Sequence, residues 1–66
     1  MKYRDDEYAP ELGDCVEYHY ENYPSDRAKV TAVGKNRIQI AYENENIKPR
    51  SEWVNPASCD LISREI

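Results

Sequence analysis

The sequence predicts an all-β fold, a small barrel of five short strands with one short 3₁₀ turn before the last strand. Three observations support this prediction. Apolar residues alternate with polar ones in several runs of four to seven residues. Turn-forming residues separate these runs at short intervals. No segment has apolar residues at helical spacing over three turns, which excludes a helical bundle or an α/β fold.

The length of the chain limits it to one domain. A chain of 66 residues buries only about 60% of the surface that its unfolded form exposes, so the core must be small. Residues 1–10 have no hydrophobic period and contain three consecutive acidic residues, and they are predicted to be a flexible acidic arm. The folded domain is predicted over residues 11–62, followed by a short tail at 63–66.

The first two strands follow a turn at Gly13. Residues 15–20 alternate, with Val16, Tyr18 and Tyr20 on one face. A loop rich in turn formers occupies residues 21–26. Residues 27–33 alternate again and predict the second strand.

A tight hairpin turn at residues 34–36 leads into the third strand, because glycine or asparagine supplies the positive φ that such turns need. The third strand is predicted over residues 37–42, and a polar loop follows at 43–50. A short fourth strand at residues 51–54 carries Trp53. A single 3₁₀ turn around Pro56 precedes a fifth strand that contains Leu61 and Ile62.

The charge distribution indicates the kind of partner. The formal net charge is −4, and residues 1–26 hold eight acidic but only two basic residues. An acidic chain argues against a general nucleic-acid binder, since phosphate neutralisation supplies most non-specific affinity. It favours a cationic partner such as a basic peptide. No signal peptide and no apolar run of membrane-spanning length is present, so we expect an intracellular protein that does not bind membranes.

No catalytic or metal site is predicted. Cys15 and Cys59 are expected to be reduced thiols, since a bridge would need the first and last strands to lie side by side. These thiols and His19 come from distant segments, a weak basis for a zinc site. Neither Glu17 nor His19 has a nucleophile beside it on its strand face. We therefore expect no cofactor and no enzymatic activity.

A small basic patch provides an alternative function. It would form if the hairpin turn and the loop before the fourth strand lay at the same end of the barrel. Its residues are Lys35, Arg37, Lys48 and Arg50. Such a patch would make the domain a weak nucleic-acid binder whose affinity falls steeply with salt.

The order of these residues resembles the Tudor and chromo-barrel domains, which are SH3-like barrels found in chromatin proteins. The similarity covers residues 11–62, and the loop before the fourth strand departs from it. It is carried by Gly13-x-x-Val16-x-Tyr18, Arg27-Ala28-Lys29-Val30, Ile38-x-Ile40-x-Tyr42, Glu52-Trp53-Val54 and Leu61.

This resemblance implies a non-catalytic module that recognises a peptide or protein, including a methylated histone tail, through a cage of aromatic rings. The matching positions for the rim are Tyr20, Tyr23, Tyr42, Glu43, Glu45 and Asn46. Because the loop lacks the tryptophans of the family, it implies only a partial cage with weak methyl-lysine discrimination. Trp53 matches a core position.

The resemblance also implies a nuclear protein that regulates transcription, acting as a monomer or as part of a larger complex. A docking domain that recognises no methyl mark is the other alternative.

Overall fold

The computed structural model describes residues 1–20 and 24–64, and these form one antiparallel sheet. The strands are β1 (Cys15–Tyr18), β2 (Asp26–Val33), β3 (Ile38–Tyr42), β4 (Ser51–Val54) and β5 (Cys59–Ser63). A 3₁₀ helix (Pro56–Ser58) connects β4 to β5. Their order across the sheet is β4-β3-β2-β1-β5. The predicted all-β class, the five strands and the turn before the last strand are therefore confirmed.

Strand pairing explains where the predicted ends differ from the observed ones. β1 was expected to reach Tyr20, but it ends at Tyr18, which pairs with the first residues of both neighbours, Asp26 and Cys59. Neither β2 nor β5 therefore has a strand residue that could pair with β1 beyond Tyr18. The 3₁₀ helix begins at a proline, and the side chain of Asn55 caps it by accepting a hydrogen bond from the backbone N–H of Ala57.

The β2–β3 hairpin is closed by a hydrogen bond of 2.8 Å from the N–H of Gly34 to the carbonyl of Arg37. A positive φ was expected in this turn, but the described residues with positive φ are Gly13 and Asp6. Gly34 is needed for space. A Cβ there would lie 3.0 Å from the Arg37 carbonyl oxygen and 3.1 Å from Cζ3 of Trp53.

Trp53 lies outside the core, which corrects the expectation drawn from the resemblance. Its side chain is 49% exposed, while Val54 is buried. The register explains this arrangement. Val54 points inward because it pairs with the buried Ile38. Successive residues of a strand point to opposite faces, so Trp53, which pairs with Gln39, lies on the outer face. The other inward-facing residue of β4 is Glu52.

The N-terminal segment 1–10, expected to be a flexible arm outside the domain, supplies a core residue. Tyr3 is only 2% exposed, and its hydroxyl donates a hydrogen bond of 2.6 Å to the buried carboxylate of Asp14. The backbone N–H of Arg4 donates to the carbonyl of Cys59 on β5. The segment therefore packs against the sheet and belongs to the folded domain.

The expected tail at 63–66 also takes part in the fold as far as the structure describes it. Ser63 is the last residue of β5, and Arg64 binds both oxygens of Asp14 at 2.8 and 3.0 Å. The same guanidinium donates to the carbonyl of Ala9, 2.7 Å away. Arg64 thus joins the end of β5 to the N-terminal segment.

The core is a single cluster of small and medium side chains with two tyrosines. Its members are Tyr3, Val16, Ala28, Val30, Ile38, Ile40, Tyr42, Val54 and Cys59.

No helix in the described ranges is long and apolar enough to cross a membrane.

The two cysteines are free, although β1 and β5 are neighbours. The register places Cys59 opposite Tyr18 and Cys15 opposite Ser63, so the two thiols do not face each other. Burial raises the pKa of Cys59 to about 12, whereas Cys15 is half-buried. The two thiols should therefore differ in reactivity.

We expect Ellman's reagent at pH 8 to modify one thiol per folded chain quickly and both thiols in denaturant. The fast thiol should be Cys15, because Cys59 is buried and remains protonated. Cys15→Ser should abolish the fast phase. Equal rates for both thiols in the folded protein would contradict the burial of Cys59.

Candidate functional site

Three tyrosines meet where β1 and β3 end. Tyr18 ends β1, Tyr20 follows two residues later, and Tyr42 is the last residue of β3. The ring centroids of Tyr18 and Tyr20 lie 4.9 Å apart with an interplanar angle of 82°. Those of Tyr18 and Tyr42 lie 6.4 Å apart at 61°. These edge-to-face arrangements are the ones that aromatic pairs prefer, so the tyrosine cluster of these three residues is well packed.

Glu52 places a carboxylate beside Tyr42 in the tyrosine cluster. It faces inward because it pairs with the buried Ile40, and its Oε1 accepts a hydrogen bond of 2.9 Å from the hydroxyl of Tyr42. Burial raises the pKa of Tyr42 well above its usual value, and hydrogen bonds with Tyr20 and Glu52 raise it further. The Tyr42 hydroxyl is therefore a permanent donor in the physiological pH range.

A second carboxylate lies beside Tyr20. Burial is the main cause that raises the pKa of Tyr20, and the negative charges of Asp26 and Glu52 add to it. Asp26 begins β2 and pairs with Tyr18 across the sheet. The cluster thus combines two half-buried rings and one buried ring with two acidic groups.

The structure brings Tyr20 and Tyr42 together, as the rim prediction requires, but Tyr42 is not an exposed ring. It is 2% exposed, because it continues the inward face of β3 formed by Ile38 and Ile40. The expectation that Tyr42 presents its ring to a ligand is therefore wrong. Tyr42 is the buried member of the cluster, and its ring packs against that of Tyr18. Tyr23 lies outside the described residues.

The acidic loop residues predicted for the rim lie elsewhere. Glu43 is directed to the outer face, where its Oε1 lies 3.9 Å from the thiol of Cys15. Its carboxylate therefore cannot share the inward site of Tyr42, since successive residues point to opposite faces. Glu45 and Asn46 are exposed in the loop before β4, where the N–H of Asn46 donates to the side chain of Asn44.

Sequence reasoning missed Tyr18, Asp26 and Glu52 as members of this site. Tyr18 was placed on the same strand face as Val16 and Tyr20 but was left out of the predicted rim, although it is half-buried. Glu52 could have been found from alternation alone, since it lies two residues before the apolar Val54. Placing Trp53 in the core assigned the wrong face of β4 to the interior and so hid Glu52.

The four basic residues of the alternative function do not form one patch. Arg37 immediately precedes β3, whereas Arg50 accepts a backbone hydrogen bond from Tyr42 at the other end of that strand. The five residue steps from Arg37 to Tyr42 correspond to about 16 Å of extended chain. Lys35 therefore lies with Arg37 at one end, and Lys48 belongs to the loop at the other, which corrects the prediction of a single patch.

His19 forms a pair with an acidic residue of β5. Its Nε2 lies 2.6 Å from Oδ2 of Asp60, which is also 3.8 Å from the guanidinium of Arg4. Within residues 1–20 and 24–64, no group of three or more His, Cys, Asp or Glu side chains is arranged to hold a metal ion.

Comparison with protein-family models, curated proteins and solved structures finds no match to this chain.

Proposed function

We propose that this protein is a non-catalytic binding module that receives a basic side chain of a peptide or protein partner at the tyrosine cluster. The observation that supports this proposal most directly is the convergence of Tyr18, Tyr20 and Tyr42 with the carboxylate of Glu52. Aromatic faces attract cations through their quadrupole, and a nearby carboxylate adds charge complementarity. Asp26 beside Tyr20 has the same effect.

The chemistry of the site defines the partner. Tyr18 and Tyr20 remain partly exposed, whereas Tyr42 is buried. The described part of the chain supplies two accessible rings, and two rings surround a cation less completely than a full cage. Lysine, methylated lysine and arginine should therefore bind with similar, modest affinities. A lysine-rich tail, such as that of a histone, fits this chemistry, and the resemblance to Tudor domains supports a role in chromatin within the nucleus. A docking role without a methyl mark is the form we favour.

The experiment is an amide NMR titration with two matched lysine-rich histone-tail peptides, one unmodified and one trimethylated on a single lysine. We expect shifts at Tyr18, Tyr20, Asp26 and Glu52 with both peptides. Tyr20→Leu removes one ring from the pair but keeps an apolar side chain. It should weaken binding about 2- to 30-fold, the range of a cation–π contact between exposed and desolvated settings.

Tyr8→Leu is the matched control, because Tyr8 is an exposed tyrosine on the N-terminal segment. It should bind like the wild type. Equal losses in the two variants, or peptide shifts confined to residues outside the cluster, would show that the tyrosine cluster is not the binding site.

A further inference from the structure

The basic residues of this acidic chain are concentrated in one stretch. Residues 27–42 contain four basic residues and no acidic residue, although the whole chain has a net charge of −4. This stretch forms nearly all of β2, the hairpin turn and β3. The hairpin turn therefore lies in a basic region, in contrast to the acidic residues beside the tyrosine cluster.

The outer face of β2, β3 and β4 has no acidic residue among the described cross-strand neighbours of Trp53. Two rows of cross-strand neighbours cover it, and their members are Ala32, Gln39 and Trp53 in one row and Lys29, Ala41 and Ser51 in the other. The side chains other than Trp53 and Lys29 are small or uncharged. As far as the structure describes it, this surface is therefore a polar sheet face with a single large aromatic ring.

The hairpin turn supports the exposed indole ring. The ring edge of Trp53 lies so close to Gly34 that a Cβ there would be 3.1 Å from Cζ3 and 3.7 Å from Cη2. The turn itself is closed by the hydrogen bond from Gly34 to Arg37. Lys35 and Arg37 are exposed residues of this same turn. The structure thus places an indole that is 49% exposed against the turn that carries Lys35 and Arg37.

We propose that this surface, formed by Trp53, Lys35 and Arg37, binds single-stranded nucleic acid without sequence preference. An unpaired nucleotide combines a planar ring that stacks on an exposed indole with a phosphate that pairs with lysine or arginine. An acidic peptide would satisfy the cations but would leave the indole face without a matching group. A duplex would satisfy the cations as well, but its bases are already stacked on one another.

This surface is separate from the tyrosine cluster. Trp53 is on the outer face of the sheet and the tyrosine cluster is on the inner face, and the hairpin turn lies at the opposite end of β3 from Tyr42. The proposal therefore does not depend on the proposed peptide site, and the two can fail independently.

The test uses the intrinsic fluorescence of Trp53, the single tryptophan of the chain. We expect a short single-stranded oligonucleotide to quench it at low salt, because stacking brings a base onto the ring. With two phosphate contacts, the logarithm of the association constant should fall with the logarithm of salt concentration with a slope of about −1.4. A duplex of the same sequence should produce little quenching.

Two variants separate stacking from charge. The double variant K35E/R37E should lose most of the affinity and of the salt dependence. Trp53→Leu, followed by the anisotropy of a labelled oligonucleotide, should weaken binding about 5- to 140-fold, the range for loss of one base–aromatic stack. Amide NMR spectra of both variants would verify that they are folded.

The matched control K48E/R50E changes the net charge equally at the opposite end of β3. It should bind oligonucleotide as the wild type does. The proposal is overturned if low salt produces no quenching, if K48E/R50E and K35E/R37E lose equal affinity, or if duplex quenches as strongly as single strand.

Discussion

Tyr3→Ala is expected to destabilise the folded protein by about 3–5 kcal/mol, the usual cost of deleting a buried aromatic side chain. Tyr3 is 2% exposed, and its hydroxyl is bonded to Asp14, so the substitution leaves a cavity and removes one of the hydrogen bonds that the buried carboxylate accepts. Small domains have little stability to spare, often about 5 kcal/mol in total. Urea denaturation followed by circular dichroism should therefore show only about 0–2 kcal/mol of remaining stability and a midpoint shifted close to zero denaturant.

Two further variants separate the contributions to this loss. Tyr8 lies on the same segment, but it is 44% exposed and its ring faces the guanidinium of Arg64 at 5.6 Å. We therefore expect Tyr8→Ala to cost about 1 kcal/mol or less. Tyr3→Phe keeps the ring and removes the hydroxyl, and should cost about 1–3 kcal/mol. A wild-type urea midpoint for Tyr3→Ala would mean that residues 1–10 do not pack against the sheet.

Asp14→Asn should have the second largest effect, a loss of about 3 kcal/mol, because it removes one partner of a buried ion pair. Asp14 is 0% exposed and accepts hydrogen bonds from Tyr3, from the N–H of Glu11 and from Arg64. Burial alone would raise the pKa of Asp14, but these three donors outweigh it and lower the pKa. An asparagine would offer one oxygen and an N–H that none of these donors can accept.

Because its pKa is lowered, the contribution of Asp14 to the free energy of unfolding should depend on pH. A carboxylate whose pKa is lower in the folded state stabilises the protein fully above its unfolded pKa of about 3.9. That contribution is lost as the pH falls through the folded value. The free energies of unfolding of wild type and Asp14→Asn, measured from pH 7 down to pH 2.5, should therefore converge at acidic pH. A difference that stays constant would show that the charge of Asp14 is not responsible.

Local sequence pattern was sufficient to predict the strands, because each is bounded by turn residues and shows a period of two. The core position of Trp53 came from the resemblance and not from the pattern, since an indole can lie on either face of a strand until a neighbour identifies the inward one. Val54 is that neighbour, and its burial directs Glu52 inward with it. The position of Tyr3 could not be predicted from pattern, since it depends on a pairing with Asp14 eleven residues away.

The candidate site was predicted in part for the same reason. Alternation places Tyr18 and Tyr20 on one face and Tyr42 on the inner face of β3, but only the register between strands shows that Asp26 and Glu52 join them. The basic residues were grouped wrongly because loop proximity depends on strand order. In a run of consecutive antiparallel strands, successive connections lie at opposite ends.

The strand β4 also bears on how the protein avoids aggregation. It is an edge of the sheet, and an edge offers unpaired backbone groups to which a strand of another molecule can add. β4 has only four residues, and Pro49 precedes it by two residues while Pro56 follows it by two. Proline has no N–H to donate. The row of backbone hydrogen bonds that an incoming strand could form with β4 therefore stops at both of its ends. We therefore expect Pro49 and Pro56 to act as gatekeepers that oppose the growth of the sheet into fibrils.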